Sequence, residues 1–211
     1  SMLSNIVQGF EDGINHKVPT VIGTNSDEGT ALYWGSPLVD VSPPVNSKEI
    51  LKKIIEEKFE EDSETVLAIY PANNDEEMLD SSKRLLGDSL FGAPSYYAAK
   101  AMADRGEDIY FYHFNQKPSG KAGEILGAFH ASEIAYVFGV GGLGPIEDPE
   151  LSRVMLTYWT NFSQTGNPNG ETTPDWETMK PEQDTWHLLG PKIGQDGISR
   201  MTIYNLLRRI S

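Results

Sequence analysis

The chain has 211 residues, 38% of them hydrophobic and 23% charged, which are the proportions of a folded globular chain rather than a disordered one. A net charge of -14 excludes a nucleic-acid binder, which must neutralise phosphates with Lys and Arg, and disfavours docking on an anionic membrane surface. With no cysteine, disulfides, thiolate metal sites and a cysteine nucleophile are excluded too, and the expected setting is the cytoplasm of a bacterium.

In chain order, "KVPTVIGTN" (Lys17 to Asn25) predicts a short buried strand, β-branched, opened by proline and closed by Gly-Thr-Asn. "GSPLVDVSPPVN" is a proline-dense loop. "SKEILKKIIEEKFEE" predicts an amphipathic helix with Ile50, Leu51, Ile54, Ile55 and Phe59 on one face. Asn46 and Glu49 are spaced as a capping box at its start. Three more helices are expected around Ser63–Ile69, Asp75–Leu86 and Pro94–Arg105, the last ended by Gly106.

"DIYFYHF" (Asp108 to Phe114) predicts a strand that is apolar on both faces, hence central in a sheet and paired on both edges. Some of those neighbours are expected outside this chain. Leu151, Val154, Met155, Tyr158, Trp159 and Phe162 follow a 3.6-residue period, with Asp148-Pro149 to start the helix and Gly166 to end it. "TWHLLG" and "ISRMTIY" predict short terminal strands, with "LLRRI" as a tail. Strands mixed with helices indicate an α/β architecture, but two clear strands and two weak ones make a thin sheet for this length.

Two carboxylate and histidine positions carry possible chemistry. Glu28 follows a strand on a tight turn, "GTNSDEG", where open α/β sheets place their ligands. Alone, such an acid is more often simply an exposed turn residue. His130 lies in "GAFHASEIAYVFG" among small residues that leave the imidazole unobstructed. A neutral imidazole has one nitrogen to accept a proton and one to be held by a carboxylate, although a structural hydrogen-bonding role fits the same residue. His130 and Glu133 are three apart and would share one helical face. They are too few ligands for zinc, and His16, His113 and His187 add no ligand spacing, so no metal and no cofactor is expected. Glu133 is assigned a supporting role beside the histidine.

"GTNSDEG", "LFGAPSYYAAK", "IYFYHF", "GAFHASEIAYVFG", "YWTNFSQTGNPN" and "PDWETM" occur in that order and span nearly the whole chain. Together they resemble the C-terminal half of the type-B carboxylesterase family, which includes cholinesterases and bacterial para-nitrobenzyl esterases. The resemblance implies the C-terminal half of an α/β-hydrolase fold, a partial central sheet with flanking helices. Residues 1–211 would then be the C-terminal portion of a single domain. Glu28 matches the family's triad acid. His130 matches the triad base, in a pattern that here reads His130, Glu133, Val137, Phe138 and Gly139. Many members have glycine after the histidine, where this chain has Ala131.

The family's nucleophile, a serine in a G-x-S-x-G elbow, has no counterpart in this sequence. "GDSLFG" has leucine and phenylalanine where the motif wants one residue and then glycine, so Ser89 is rejected. The glycine-rich oxyanion loop is missing as well. The triad runs Ser, then Asp/Glu, then His along such chains, so both absences are consistent with an N-terminal half outside this sequence. The resemblance implies ester hydrolysis through an acyl-enzyme in the full-length parent, with the 211 residues inactive alone. Phe129, Phe138 and Trp34 are candidate pocket walls because they flank the two catalytic positions, and they fit a core role equally well. Expected partners are a small-molecule ester and either the N-terminal half or a second copy, with neither nucleic acid nor membrane. A non-catalytic, cholinesterase-like binding or structural module is the alternative.

Overall fold

The computed structural model describes residues 8–33, 45–141 and 146–210. Alternation along one apolar strand organises it. In β2 (Ile109–Phe114), Ile109 and Phe111 enter one hydrophobic cluster, and Tyr110 and Phe114 enter another on the opposite face. β1 (Thr20–Asn25) lies parallel along one edge of β2, in register from Thr20 opposite Ile109 to Asn25 opposite Phe114. β3 (Thr185–Leu189) lies parallel along the other edge, and β4 (Gly194–Gly197) returns antiparallel to β3. The order among the described residues is β1-β2-β3-β4. Both edges of β2 are therefore filled from this chain, contrary to the expectation that some neighbours lie elsewhere. Among the described residues the open edges of the sheet belong to β1 and β4.

Parallel neighbours require crossovers, and helices supply them. Between β1 and β2 come α1 (Gly29–Tyr33), α2 (Lys48–Phe59), α3 (Ser63–Ile69), α4 (Asp75–Gly87) and α5 (Ala93–Asp104). Between β2 and β3 come α6 (Gly120–Leu126), α7 (Ile134–Phe138) and α8 (Pro149–Thr165), and α9 (Met201–Ile210) ends the described chain. Leu51, Ile55 and Phe59 of α2 pack with Val66, Tyr96, Met102, Ile203 and Leu207 against Ile109 and Phe111. Each such buried side chain stabilises the fold by about 1.5–3 kcal/mol relative to exposure. On the other face, Leu151, Val154, Met155 and Tyr158 of α8 pack with Tyr136, Trp176 and Leu189.

Three local readings change. The cap of α2 is Ser47, whose side chain accepts the Ile50 N–H, and not Asn46. α5 begins at Ala93 with Pro94 in its first turn, as expected, but α4 runs into it without a break through a π-helical turn, Asp88–Gly92. "ISRMTIY" and "LLRRI" are mostly one helix, α9, burying Ile203, Tyr204, Leu206 and Leu207. Asp148 does cap α8, accepting the N–H groups of Glu150 and Leu151, and Gly166 ends it at φ 74°. Among the described residues, no helix is long and apolar enough to cross a membrane.

Candidate active site

The three parallel strands end on one side of the sheet, where α/β folds open a crevice. Glu28 stands just beyond the end of β1, in the turn that feeds α1, and is 7% exposed. Its Oε1 accepts the Asn25 N–H at 2.7 Å and the Thr24 hydroxyl at 3.3 Å. Its Oε2 lies 2.7 Å from Nδ1 of His130. Only glycine fits at position 29, because a Cβ there would lie 1.9 Å from the Lys83 carbonyl oxygen of α4. The acid's turn is thereby pressed against a helix.

His130 sits on the loop between α6 and α7, 102 residues further along the chain. The backbones of the two segments bridge at Asp27, whose N–H donates to Ala128 O at 3.1 Å. The Asp27 carboxylate accepts the Ala128 N–H at 2.9 Å, and the Thr30 hydroxyl donates to Leu126 O at 2.6 Å. Gly127 makes this approach possible: it holds φ 62°, and a Cβ there would lie 2.3 Å from Cγ of Asp27. Directly after the histidine, Ala131 holds φ 69°, a left-handed conformation that glycine adopts without strain. The Phe91 ring, presented by the π-helical turn, packs on the imidazole at 4.5 Å between centroids.

The charges explain the ring's poise. The hydrogen bond to Glu28 raises the His130 pKa above its ordinary 6.5; partial burial opposes this, while the charges of Glu28 and Glu133 add to it. A carboxylate on Nδ1 fixes the proton there in the neutral ring and leaves the lone pair on Nε2. The His130 side chain is 44% exposed, and its Nε2 makes no hydrogen bond among the described residues. The pair can therefore accept a proton at Nε2 and stabilise the imidazolium that results. Burial pushes the Glu133 carboxyl upward in pKa, and a 2.5 Å hydrogen bond from the Asn25 amide partly offsets the rise.

The other sequence candidates separate. Phe129 and Ala131 line a cavity of about 520 Å³ together with Ser132, Ile134, Tyr136 and Val140. Phe138 does not line it and stands 67% exposed on α7. Trp34 lies outside the described residues. Ser89 donates its hydroxyl to the Leu85 carbonyl within the helical run, 2.6 Å away. No group of three or more His, Asp or Glu side chains among the described residues is arranged to hold a metal. Asn25, Asp27 and Phe91 were not singled out by sequence. The first two carried a signal, since Asn and Asp in turns bond to nearby backbone. Phe91 carried none, because its segment reads as a helix end.

A family model described as the carboxylesterase family matches residues 6–202. A medium-chain fatty acyl-CoA hydrolase precursor of Anas platyrhynchos is 31% identical over 188 residues, which are 80% of this chain and 33% of that protein. A liver carboxylesterase of Sus scrofa is 32% identical over 180 residues, 79% of this chain and 29% of that protein. The chain thus spans about a third of the length of these curated relatives. Aspergillus niger EstA shares the fold at TM-score 0.76 with 18% identity, covering 97% of this chain and 42% of EstA. The mixed sheet with its flanking helices is a partial α/β-hydrolase fold. The chain belongs to the carboxylesterase family.

Proposed function

We propose that this chain supplies the acid and base of a serine carboxylic-ester hydrolase, the serine coming from the part of the family's length that these residues do not span. The observation that carries the reading is the 2.7 Å contact between Nδ1 of His130 and Glu28, which leaves Nε2 available. In this mechanism Nε2 takes the serine hydroxyl proton as the oxygen attacks the ester carbonyl, and then returns it to the departing alcohol. Water repeats the cycle: His130 removes its proton, the acyl–serine bond breaks, and the serine is restored. Glu28 holds the tautomer and stabilises the imidazolium at each stage.

A chain of these residues alone then hydrolyses no ester through a serine. The proposed companion is a nucleophile-bearing portion or, in its place, a second copy that covers the same surface. The outer edge of β1, unpaired among the described residues, supports this, as do exposed Ile125, Ile134, Phe138 and Val140 near the histidine loop. A cytoplasmic setting belongs to the same proposal, supported by the cysteine-free composition.

The test is hydrolysis of a para-nitrophenyl ester by the chain alone and after assembly with a nucleophile-bearing portion of a carboxylesterase domain. The chain alone is expected to be silent. Rapid turnover abolished by a serine-directed phosphonate would contradict that. In the assembly, His130→Ala and Glu28→Gln are each expected to lower kcat by roughly 10⁴-fold or more. Full activity in either variant would remove the assignment. A monodisperse monomer that takes up no companion would count against the partner.

A further inference from the structure

We infer that Asn25 is a positioning residue of this site, whose side chain registers the histidine loop against the acid on both sides of His130. It is 3% exposed, at the last position of β1, where the strand hands over to the acid's turn. Its backbone N–H donates to Oε1 of Glu28 at 2.7 Å. Its amide nitrogen donates twice across to the histidine loop, to Phe129 O at 2.9 Å and to Oε2 of Glu133 at 2.5 Å. Those two acceptors flank His130, one residue before it and three after. One residue thus grips the carboxylate from its main chain and the imidazole's loop from its side chain.

The chemistry at this position demands an amide. Both loop acceptors, a carbonyl and a carboxylate, need donors, so the side chain's orientation is fixed with nitrogen toward them. Aspartate has the same shape, but it would set a third carboxylate beside Glu28 and Glu133 and leave Phe129 O without its donor. Alanine would remove both bonds at once. Asp27 and Thr30 also join the two segments, but their partners lie before the histidine, at Leu126 and Ala128. Neither holds the chain on the far side of His130. Without Asn25 the loop should keep its approach and lose its aim, and the ring should swing away from Oε2 of Glu28.

This rests on the acid–base reading, and the measurement separates the two. The histidine ring resonances of the chain are titrated by NMR, with His130 assigned by the signal missing in His130→Ala. Glu28→Gln is expected to lower the His130 pKa by about one unit, the size of an adjacent opposite charge. Asn25→Ala is expected to give most of the same fall, and the double variant to go no lower than Glu28→Gln. Glu133→Gln keeps an acceptor for the amide while removing its charge, and should leave most of the elevation in place. If Glu28→Gln leaves the pKa unmoved, the acid–base pair itself is wrong. If Glu28→Gln moves it and a folded Asn25→Ala does not, only the role of Asn25 is overturned. Should Asn25→Ala fail to fold, Asn25→Ser, with one shorter donor, is read the same way and should fall between. Loss of fold in both would make Asn25 a structural residue and would also overturn the inference.

Discussion

Three histidines of this chain lie at or beside the sheet, and their surroundings drive them in opposite directions. His113 stacks on Trp186 at 3.9 Å and His187 stacks on Trp176 at 4.8 Å, on opposite faces of the sheet. Both are buried, and Nδ1 of each has no hydrogen-bond partner among the described residues. Burial pushes them down to pKa values of about 3 and about 4, and the Arg200 charge adds to the effect at His113 against a weaker opposing pull from Asp27. His130 is half-exposed and held by a carboxylate, and its pKa goes up. The same side chain is packing material in one setting and a proton acceptor in the other. Partner and solvent access decide between them.

The strongest way to sharpen that contrast is at Arg200, which belongs to both regions. It pairs with buried Asp88 at 2.6 Å, and the Tyr70 hydroxyl donates to the other Asp88 oxygen. Arg200 also donates to Ser26 O, in the acid's turn, at 3.0 Å. Arg200→Met leaves a buried carboxylate without its cation, a loss of about 3–5 kcal/mol in urea unfolding. In whatever fraction remains folded, the His113 pKa should rise because a neighbouring positive charge is gone.

The pH dependence of stability comes next in size. His113 and His187 have folded pKa values below the ordinary 6.5. Their contribution is complete above that value and is lost as pH falls toward about 3 and about 4, respectively. Each should cost about 1.4 kcal/mol per pH unit within its window. His130 acts with the opposite sign: its contribution is present below 6.5 and is lost as pH rises through its elevated value. Denaturant unfolding at pH 7, 6 and 5 checks this, and His113→Phe should remove about half of the histidine slope. A slope unchanged by that substitution would break the contrast between buried and held histidines.

The smallest effect is expected beside His130. Ala131→Gly relieves a left-handed alanine and should raise the unfolding free energy by about 1 kcal/mol, with no fall in the His130 pKa. A destabilised variant would mean that the methyl group packs usefully in the cavity wall.

Much of the architecture was legible from residue order because it depends on local chemistry. The alternation of "IYFYHF" marked β2, Asp148-Pro149 and Gly166 bounded α8, and the turn glycines marked where Glu28 and His130 sit. Reading failed where one element was cut into pieces. "ISRMTIY" looks β-branched and short, but continued through Leu206 and Leu207 its apolar residues follow a helical period. β4, "GQDG", has no apolar pattern and exists because β3 offers it an edge. The capping role fell to Ser47 rather than Asn46 because several nearby residues can cap and only the backbone path selects one.

The sequence by itself determined which residue types were on hand: an acid after a strand, a histidine among small residues, and no cysteine and no serine elbow. It could do so because turn conformation, strand alternation and side-chain pKa classes are properties of short segments. Tertiary structure alone decided that Glu28 and His130 touch across 102 positions, that Phe91 packs on the imidazole while Asn25 bonds its loop on either side, and that His113 and His187 do not join them. Those outcomes depend on which backbone segments approach, and packing of the whole sheet with its helices sets that.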